Sequence, residues 1–196
     1  MNGDLFGNGA GTCVGGSAEF TACGRHRLFL TRVWDVSKPV MGIAAANPSK
    51  AGWPEGDQTI AKGVGFATRH GFGALHMLNL ESRVATDPAE LAVLHADERS
   101  VRENDWRLIA TLYQAQARHL TLVCAWGDLP PAAAVERFEL WALKIGAPLW
   151  CFGQTKGGAP RHLSRLGYDA EPVMFNARAH GLRFGGNAAF PQAVVA

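Results

Sequence analysis

Short apolar runs alternate along this chain with segments of helical periodicity, and this alternation restricts the fold more than any other feature. The apolar runs have the length of buried strands and cover residues 27–34, 40–46, 74–80, 120–125 and 148–152. Helical patterns begin near Asp57 and at Asp87, and a further helix is expected at 132–145. Another is expected at 103–118, with Trp106, Ile109, Leu112 and Tyr113 along one side. Strands that alternate with helices at this spacing are typical of βαβ units, whose strands pair in parallel. The sequence therefore predicts an α/β three-layer sandwich with a central four-stranded parallel sheet, and residues 27–34 as an N-terminal edge strand.

The domain organisation follows from length and composition. Residues 1–19 carry many glycines and few large apolar side chains, which predicts a flexible N-terminal arm before a single α/β domain at 20–196. No apolar run reaches the roughly 18 residues that a membrane-spanning helix requires, and the first residues lack the basic-then-apolar order of a secretory signal. We expect a soluble, cytoplasmic protein without a membrane partner.

The net charge excludes no class of partner, whereas the spacing of the cysteines predicts no metal site. The net charge of +2 and the isoelectric point of about 8.4 permit a nucleic-acid partner without requiring one. The four cysteines form no CxxC pair, so we expect no zinc or iron–sulfur site, and Cys124 and Cys151 have the apolar surroundings of buried thiols. Phosphate-loop, dinucleotide-loop, nucleophile-elbow and metalloprotease motifs are all missing from the sequence.

Three polar residues stand where a parallel sheet binds its ligands, beyond the carboxyl ends of the strands. Asn47 precedes a proline, a pair typical of turns as well as of sites. Asn79 ends an apolar strand, so its amide must find partners either in the neighbouring backbone or in a ligand such as a base edge. His162 lies in a glycine-rich loop that either exposes it to solvent or brings it to an anion. Asp57 is interpreted as a helix cap, with catalysis as the second interpretation.

A first resemblance rests on a series of short motifs. In chain order they are CGRHR, AANPSKA, GDQTI, GFATRHGFG, MLNL, ATDP, REND, CAWG and GGAPRHL. On this series, which covers about residues 20–168, the chain resembles a bacterial and phage family of unknown function. Membership of that family implies no activity.

A second, more distant resemblance is to the uracil-DNA glycosylase superfamily. Its first motif ends a buried strand with a water-activating Asp or Asn before proline, a position that Asn47 matches as in the mismatch-specific branch. A later strand ends in an asparagine that reads a pyrimidine edge, as Asn79 would, and another ends in the pair matched by Trp126 and Gly127. The final motif has a loop histidine, matched by His162. Leu163 departs from the proline that usually follows that histidine.

This second resemblance implies a mechanism for cleaving the N-glycosidic bond of a damaged or modified base. Asn47 would position the water, His162 would donate to the departing base, and Asn79 would bind its edge. Phe66 and Trp53 are the candidates for stacking on the base. Contacts to DNA phosphates would come from four further residues: Ser49, Lys156, Arg161 and Ser164. The reaction needs no metal or organic cofactor.

Two other classes of function remain open on the sequence. One is a hydrolase or transferase that acts on a free nucleotide or a modified nucleoside and needs no surface for gripping a duplex. The other is a non-catalytic module that binds a modified base or nucleic acid. The asparagine in place of a carboxylate at position 47, and Leu163 in place of proline, both favour the binding module.

Overall fold

The computed structural model of the protein describes residues 14–49, 58–85, 97–175 and 190–191. These residues form one seven-stranded sheet with strand order β1-β2-β4-β3-β5-β6-β7. The strands are β1 (Gly15–Phe20), β2 (Arg27–Val33), β3 (Val40–Ala45), β4 (Ala74–Asn79), β5 (Leu120–Cys124), β6 (Leu149–Cys151) and β7 (Val173–Met174). The α-helices of the described residues are α1 (Gln58–Arg69), α2 (Glu98–Gln116) and α3 (Ala132–Ile145). The predicted α/β class is confirmed.

The order of the strands brings several chain segments to one edge of the sheet. Strands β4, β3, β5 and β6 pair in parallel, and Ile43 is in register with both Met77 and Val123. Strands β1, β2 and β7 pair antiparallel with their neighbours. Because β2 runs against β4, the beginning of β2 lies at the edge where the parallel strands end.

The strand β2 was predicted at the edge of the sheet, and this is wrong. Strand β1 lies outside it, paired from Gly15 opposite Val33 to Phe20 opposite Arg27. Residues 15–19 therefore belong to the sheet rather than to a flexible arm, and residues 1–13 lie outside the described part of the chain. Glycines do not prevent a strand when a neighbouring strand offers an unpaired edge. An exposed ion pair also joins Glu19 of β1 to Nη2 of Arg107 in α2.

Two apolar cores lie on the two faces of the sheet. Adjacent residues of a strand point to opposite faces, and Ile43 accordingly packs in one core and Ala44 in the other. The first core includes Ile60 and Val64 of α1. The second core includes Leu112 of α2 and Phe138 of α3. All five residues of β5 are buried, as expected for a strand covered on both faces.

Helix α2 differs from its predicted form in both start and phase. It begins at Glu98 rather than at 103, because Asp97 caps it by accepting a hydrogen bond from Ser100 N at 3.0 Å. Of the residues expected along one side, Trp106 is 71% exposed and Tyr113 is 59% exposed, whereas Leu112 is buried. The buried face also contains polar residues such as Asn104, which apolar periodicity alone does not reveal. The helix predicted at Asp87 lies outside the described residues.

Replacing Asp97 by alanine should remove the cap of α2. We expect the free energy of unfolding to fall by about 1 kcal/mol, which lowers the melting temperature of a domain of this size by about 2–4 °C. Glu98→Gln, which removes an exposed first-turn charge and leaves the cap intact, is the control. Thermal denaturation followed by circular dichroism measures both, and an equal effect of the two substitutions would show that the cap contributes nothing specific.

Candidate functional site

A cleft of about 200 Å³ lies at the carboxyl edge of the parallel strands. Its apolar wall includes Ala45, Ile60 and Met77. Its polar lining residues are Arg27, Asn47, Ser49, Thr59, Asn79 and His162. The three residues selected from the sequence, Asn47, Asn79 and His162, thus line one cleft although 115 positions separate the first from the last.

Asn79 contributes a buried amide to this cleft. It is the last residue of β4, is only 1% exposed, and stands in register with Ala45 of β3. Its Nδ2 atom is buried and has no hydrogen-bond partner among the described residues. A buried amide donor without a partner costs about 1–3 kcal/mol. Among the described residues, the side chain therefore does not serve the neighbouring backbone through Nδ2, and it belongs to a residue that lines the cleft.

Asn47 presents the opposite end of its amide. Its Nδ2 donates to Ala85 O at 3.0 Å and to Pro48 O at 3.3 Å. Since a carbonyl oxygen can only accept, these two bonds fix which end of the amide is nitrogen. The remaining atom, Oδ1, is an acceptor with no hydrogen bond from the described residues, and an acceptor of this kind can orient a water molecule.

The proton of the neutral His162 ring is assigned to one nitrogen by its neighbours. His162 precedes a short 3-10 helix (Leu163–Arg165), and its Nδ1 accepts from Ser164 N at 3.3 Å and lies 2.8 Å from Ser164 Oγ. Because a backbone N–H can only donate, Nδ1 carries no proton in the neutral ring and Nε2 carries it. The neutral ring of His162 therefore has its N–H group at Nε2.

The residue after His162 anchors this loop in the core. Leu163 is completely buried and packs in the same core as Ile43 and Ile60. Burial of this side chain holds the neighbouring histidine to the domain.

The pair Trp126 and Gly127 is structural. Trp126 is buried in the second core, with edge-on contacts to Phe138 and Phe175. Gly127 has a φ of 66° and donates its N–H to Pro160 O at 2.8 Å. A Cβ at Gly127 would lie 3.4 Å from the Cβ of His162. That distance is an ordinary contact, so the positive φ, rather than a lack of space, favours glycine at this position.

A second cleft of about 540 Å³ adjoins the first, and Leu129 and His162 line both. Its charged lining residues are Asp128, Lys156, Arg161 and Arg165. Ser164 also lines it, and Thr155 donates to Asp128 Oδ1 at 3.2 Å. Three cations against one carboxylate favour an anionic ligand. Of the four residues predicted to contact phosphates, Lys156, Arg161 and Ser164 lie here and Ser49 lies in the first cleft.

The structure does not place Phe66 in either cleft. Phe66 is fully buried in the first core and stacks on Phe152 with ring centroids 4.3 Å apart. The phase of α1 turns it toward the sheet, so it cannot stack on a base, and this prediction is wrong. Trp53 and Asp57 lie outside the described residues.

Arg27 is a polar lining residue of the first cleft that the strand-end pattern did not predict. It is buried at the start of β2, and its Nη1 lies 3.5 Å from Ser49 O. Only residues that leave a strand were considered, whereas the antiparallel direction of β2 brings the beginning of this strand to the same edge. An arginine that opens an apolar strand-like run was the available signal.

The described residues also bear on metal sites, reactive cysteines and membrane-spanning helices. Within the described ranges no three His, Cys, Asp or Glu side chains are grouped as a metal site requires. Burial raises the pKa of the Cys151 thiol to about 11 and raises that of Cys124 well above its usual value, so both remain protonated. Among the described helices, none is long and apolar enough to cross a membrane.

Comparison with known proteins identifies a family. The model of a family described as a protein of unknown function, DUF1643, matches residues 27–162, which is more than half of the chain. The match runs from Arg27 to His162 and includes every described residue named above as a lining residue of the first cleft. Neither the curated proteins nor the solved structures gave a match.

Proposed function

We propose that this chain, which belongs to the DUF1643 family of proteins of unknown function, hydrolyses the N-glycosidic bond of a damaged or modified base in DNA. The observation that carries the proposal is the buried donor Asn79 Nδ2, which has no partner among the described residues and lines the same cleft as Asn47 and His162. A ligand with an acceptor atom would supply the missing hydrogen bond. The resemblance to the uracil-DNA glycosylase superfamily rests on these same three residues together with the pair Trp126 and Gly127.

The first cleft has the chemistry for a flipped base. Ala45, Ile60 and Met77 give it an apolar wall against which a planar ring can pack. Asn79 Nδ2 would donate to a carbonyl oxygen on the edge of the base. A base that has left the stack loses both its stacking and its base-pairing contacts. The apolar wall would replace the stacking, and the Asn79 donor would replace one hydrogen bond of the pairing.

The reaction would break the bond between C1′ of the sugar and the base nitrogen. The electron pair of this bond leaves with the base, and the sugar passes through an oxocarbenium-like state. Water adds to C1′ and loses one proton to solvent, and the departed base takes up one proton from solvent. Asn47 Oδ1 would orient that water, and His162 Nε2–H would donate to the oxygen on which negative charge gathers. Since an amide is not a strong base, the rate depends on a base that leaves readily.

The second cleft would hold the phosphates beside the reacting nucleotide. Lys156, Arg161 and Arg165 would neutralise phosphate oxygens, which positions the substrate without reading its sequence. His162 lines both clefts, so a base in the first and its phosphates in the second lie on either side of the residue that would act on their nucleotide.

The experiment that tests the proposal asks which base is released. Purified protein is incubated with DNA oligonucleotides that carry different modified bases, and mass spectrometry identifies free bases and abasic strands. We expect one class of base to appear in solution, and we expect Asn47→Ala to release it at least about tenfold more slowly, since a poorly placed water reacts slowly. The control is Thr59→Val, which changes another lining side chain to which no role is assigned. Absence of any free base across the set would overturn the proposal.

A free nucleotide or modified nucleoside is the second candidate substrate, favoured by the weak net charge of +2. The two adjoining clefts could hold the base and the phosphate of one small molecule. Binding of a uracil-containing duplex should weaken steeply between two salt concentrations because several counterions are released, whereas binding of a nucleoside monophosphate should change little. The tighter ligand and its salt dependence decide between the two substrates.

A further inference from the structure

Asn104 of α2 touches the end of β4 from outside the cleft. It is only 2% exposed, and its Nδ2 donates to Asn79 O at 3.0 Å. It does not line either of the two clefts described above. We propose that Asn104 is a positioning residue that fixes the Asn79 amide at the cleft; its effect on ligand binding, though not its effect on Asn79, rests on the proposed function.

The hydrogen bond falls where the pairing of β4 changes. Register between β2 and β4 ends at the pair of Leu30 and Met77, while β3 stays in register with β4 as far as Ala45 and Asn79. Pairing toward β3 continues with Leu80 N donating to Ala45 O at 3.0 Å. A side chain from a helix, rather than a strand, therefore binds the carbonyl of Asn79.

The chemistry at this point requires a donor. The backbone carbonyl oxygen of Asn79 can only accept, so Asn104 must present its Nδ2 to it. The Oδ1 of Asn104 is then buried with no partner among the described residues. An unsatisfied buried acceptor lowers stability, and an apolar residue would avoid that cost. The amide at position 104 is thus explained by the contact with Asn79 rather than by packing.

Helix α2 is a rigid base for this contact. Asp105, the next residue, accepts from Arg137 of α3 at 3.0 Å. Leu108, one turn later, is buried in the second core. Because these two contacts fix the helix in the turn that follows Asn104, the position of the donor is fixed as well.

The test compares the isosteric variant Asn104→Asp with wild type in two measurements. The first is the side-chain amide signal of Asn79 in ¹⁵N–¹H spectra of the unliganded protein. The second is the affinity for a duplex that carries a single uracil. The carboxylate would face the backbone carbonyl oxygen of Asn79, and two acceptors repel each other. We therefore expect the Asn79 signal to shift and the affinity to fall by about tenfold. Asn104→Ala, which removes the donor without repulsion, serves if Asn104→Asp does not fold.

Thr111→Val on the same helix is the matched control. It removes a bond from a nearly buried hydroxyl to Arg107 O at 2.9 Å and leaves the end of β4 untouched. We expect a lower melting temperature with an unchanged Asn79 signal and unchanged affinity. An unchanged Asn79 signal in both Asn104 variants would overturn the proposal. If wild type does not bind the duplex, that part of the proposed function fails, while the Asn79 signal still decides the role of Asn104.

Discussion

Replacement of His162 by asparagine is expected to slow base release by about 100- to 1,000-fold, the usual effect of removing a donor to developing negative charge. Asparagine can still accept the hydrogen bond from Ser164 N through its Oδ1, so the 3-10 helix (Leu163–Arg165) should persist. What is lost is the N–H at the position of Nε2. Single-turnover release of the base, together with the melting temperature, measures the two effects separately.

Ser164→Ala is the control for His162. It keeps the backbone N–H that binds Nδ1 and removes only the hydroxyl that lies 2.8 Å from this nitrogen. We expect a modest loss of rate, because the ring keeps its orientation and its proton on Nε2. Base release by the His162→Asn variant at the wild-type rate would show that His162 only caps its loop.

Replacement of Asn79 by leucine should separate binding from stability. Leucine has the branching and the number of side-chain heavy atoms of asparagine, although its methyl groups are bulkier, and it removes a buried donor that has no partner among the described residues. We therefore expect a melting temperature close to that of wild type, since no protein hydrogen bond of Nδ2 is lost and the removal of an unsatisfied donor offsets the added volume. Binding of the uracil-containing duplex should weaken by about tenfold to a hundredfold, the cost of about 1–3 kcal/mol for one buried pairing.

Asn79→Asp completes this comparison. A carboxylate at neutral pH only accepts, so it would repel the carbonyl oxygen that the amide is proposed to bind. Calorimetric affinity and melting temperature are measured on the same preparation of each variant. A large loss of melting temperature in Asn79→Leu, with affinity intact in the folded fraction, would make Asn79 a structural residue.

The residues of the candidate site that the sequence predicted are those that follow the ends of strands. Apolar runs show where β3 and β4 stop, and parallel strands end at one edge, so Asn47 and Asn79 could be expected together. The same argument places the loop after β6, and with it His162, at this edge. These expectations needed only local periodicity and one rule of topology.

The parts that the sequence did not predict depend on tertiary contacts. Arg27 reaches the cleft because β2 runs antiparallel to β4, a direction that no local pattern specifies. Phe66 is turned into the core by the phase of α1. Asn104 is a polar residue on a buried helical face, explained only by its bond to a strand end. The glycines of β1 favour a flexible arm on local composition, and only the pairing with β2 makes this segment a strand.

The most direct test of the central claim compares wild type with a variant that combines Asn47→Ala and His162→Asn, in single turnover on the modified DNA that wild type processes fastest. Mass spectrometry measures the free base and the abasic strand, which should appear in equal amounts as the reaction proceeds. The account predicts complete release by excess wild type and less than about 1% release by the double variant in the same time. Equal release by the two proteins, or no release by wild type from any modified base, would contradict it.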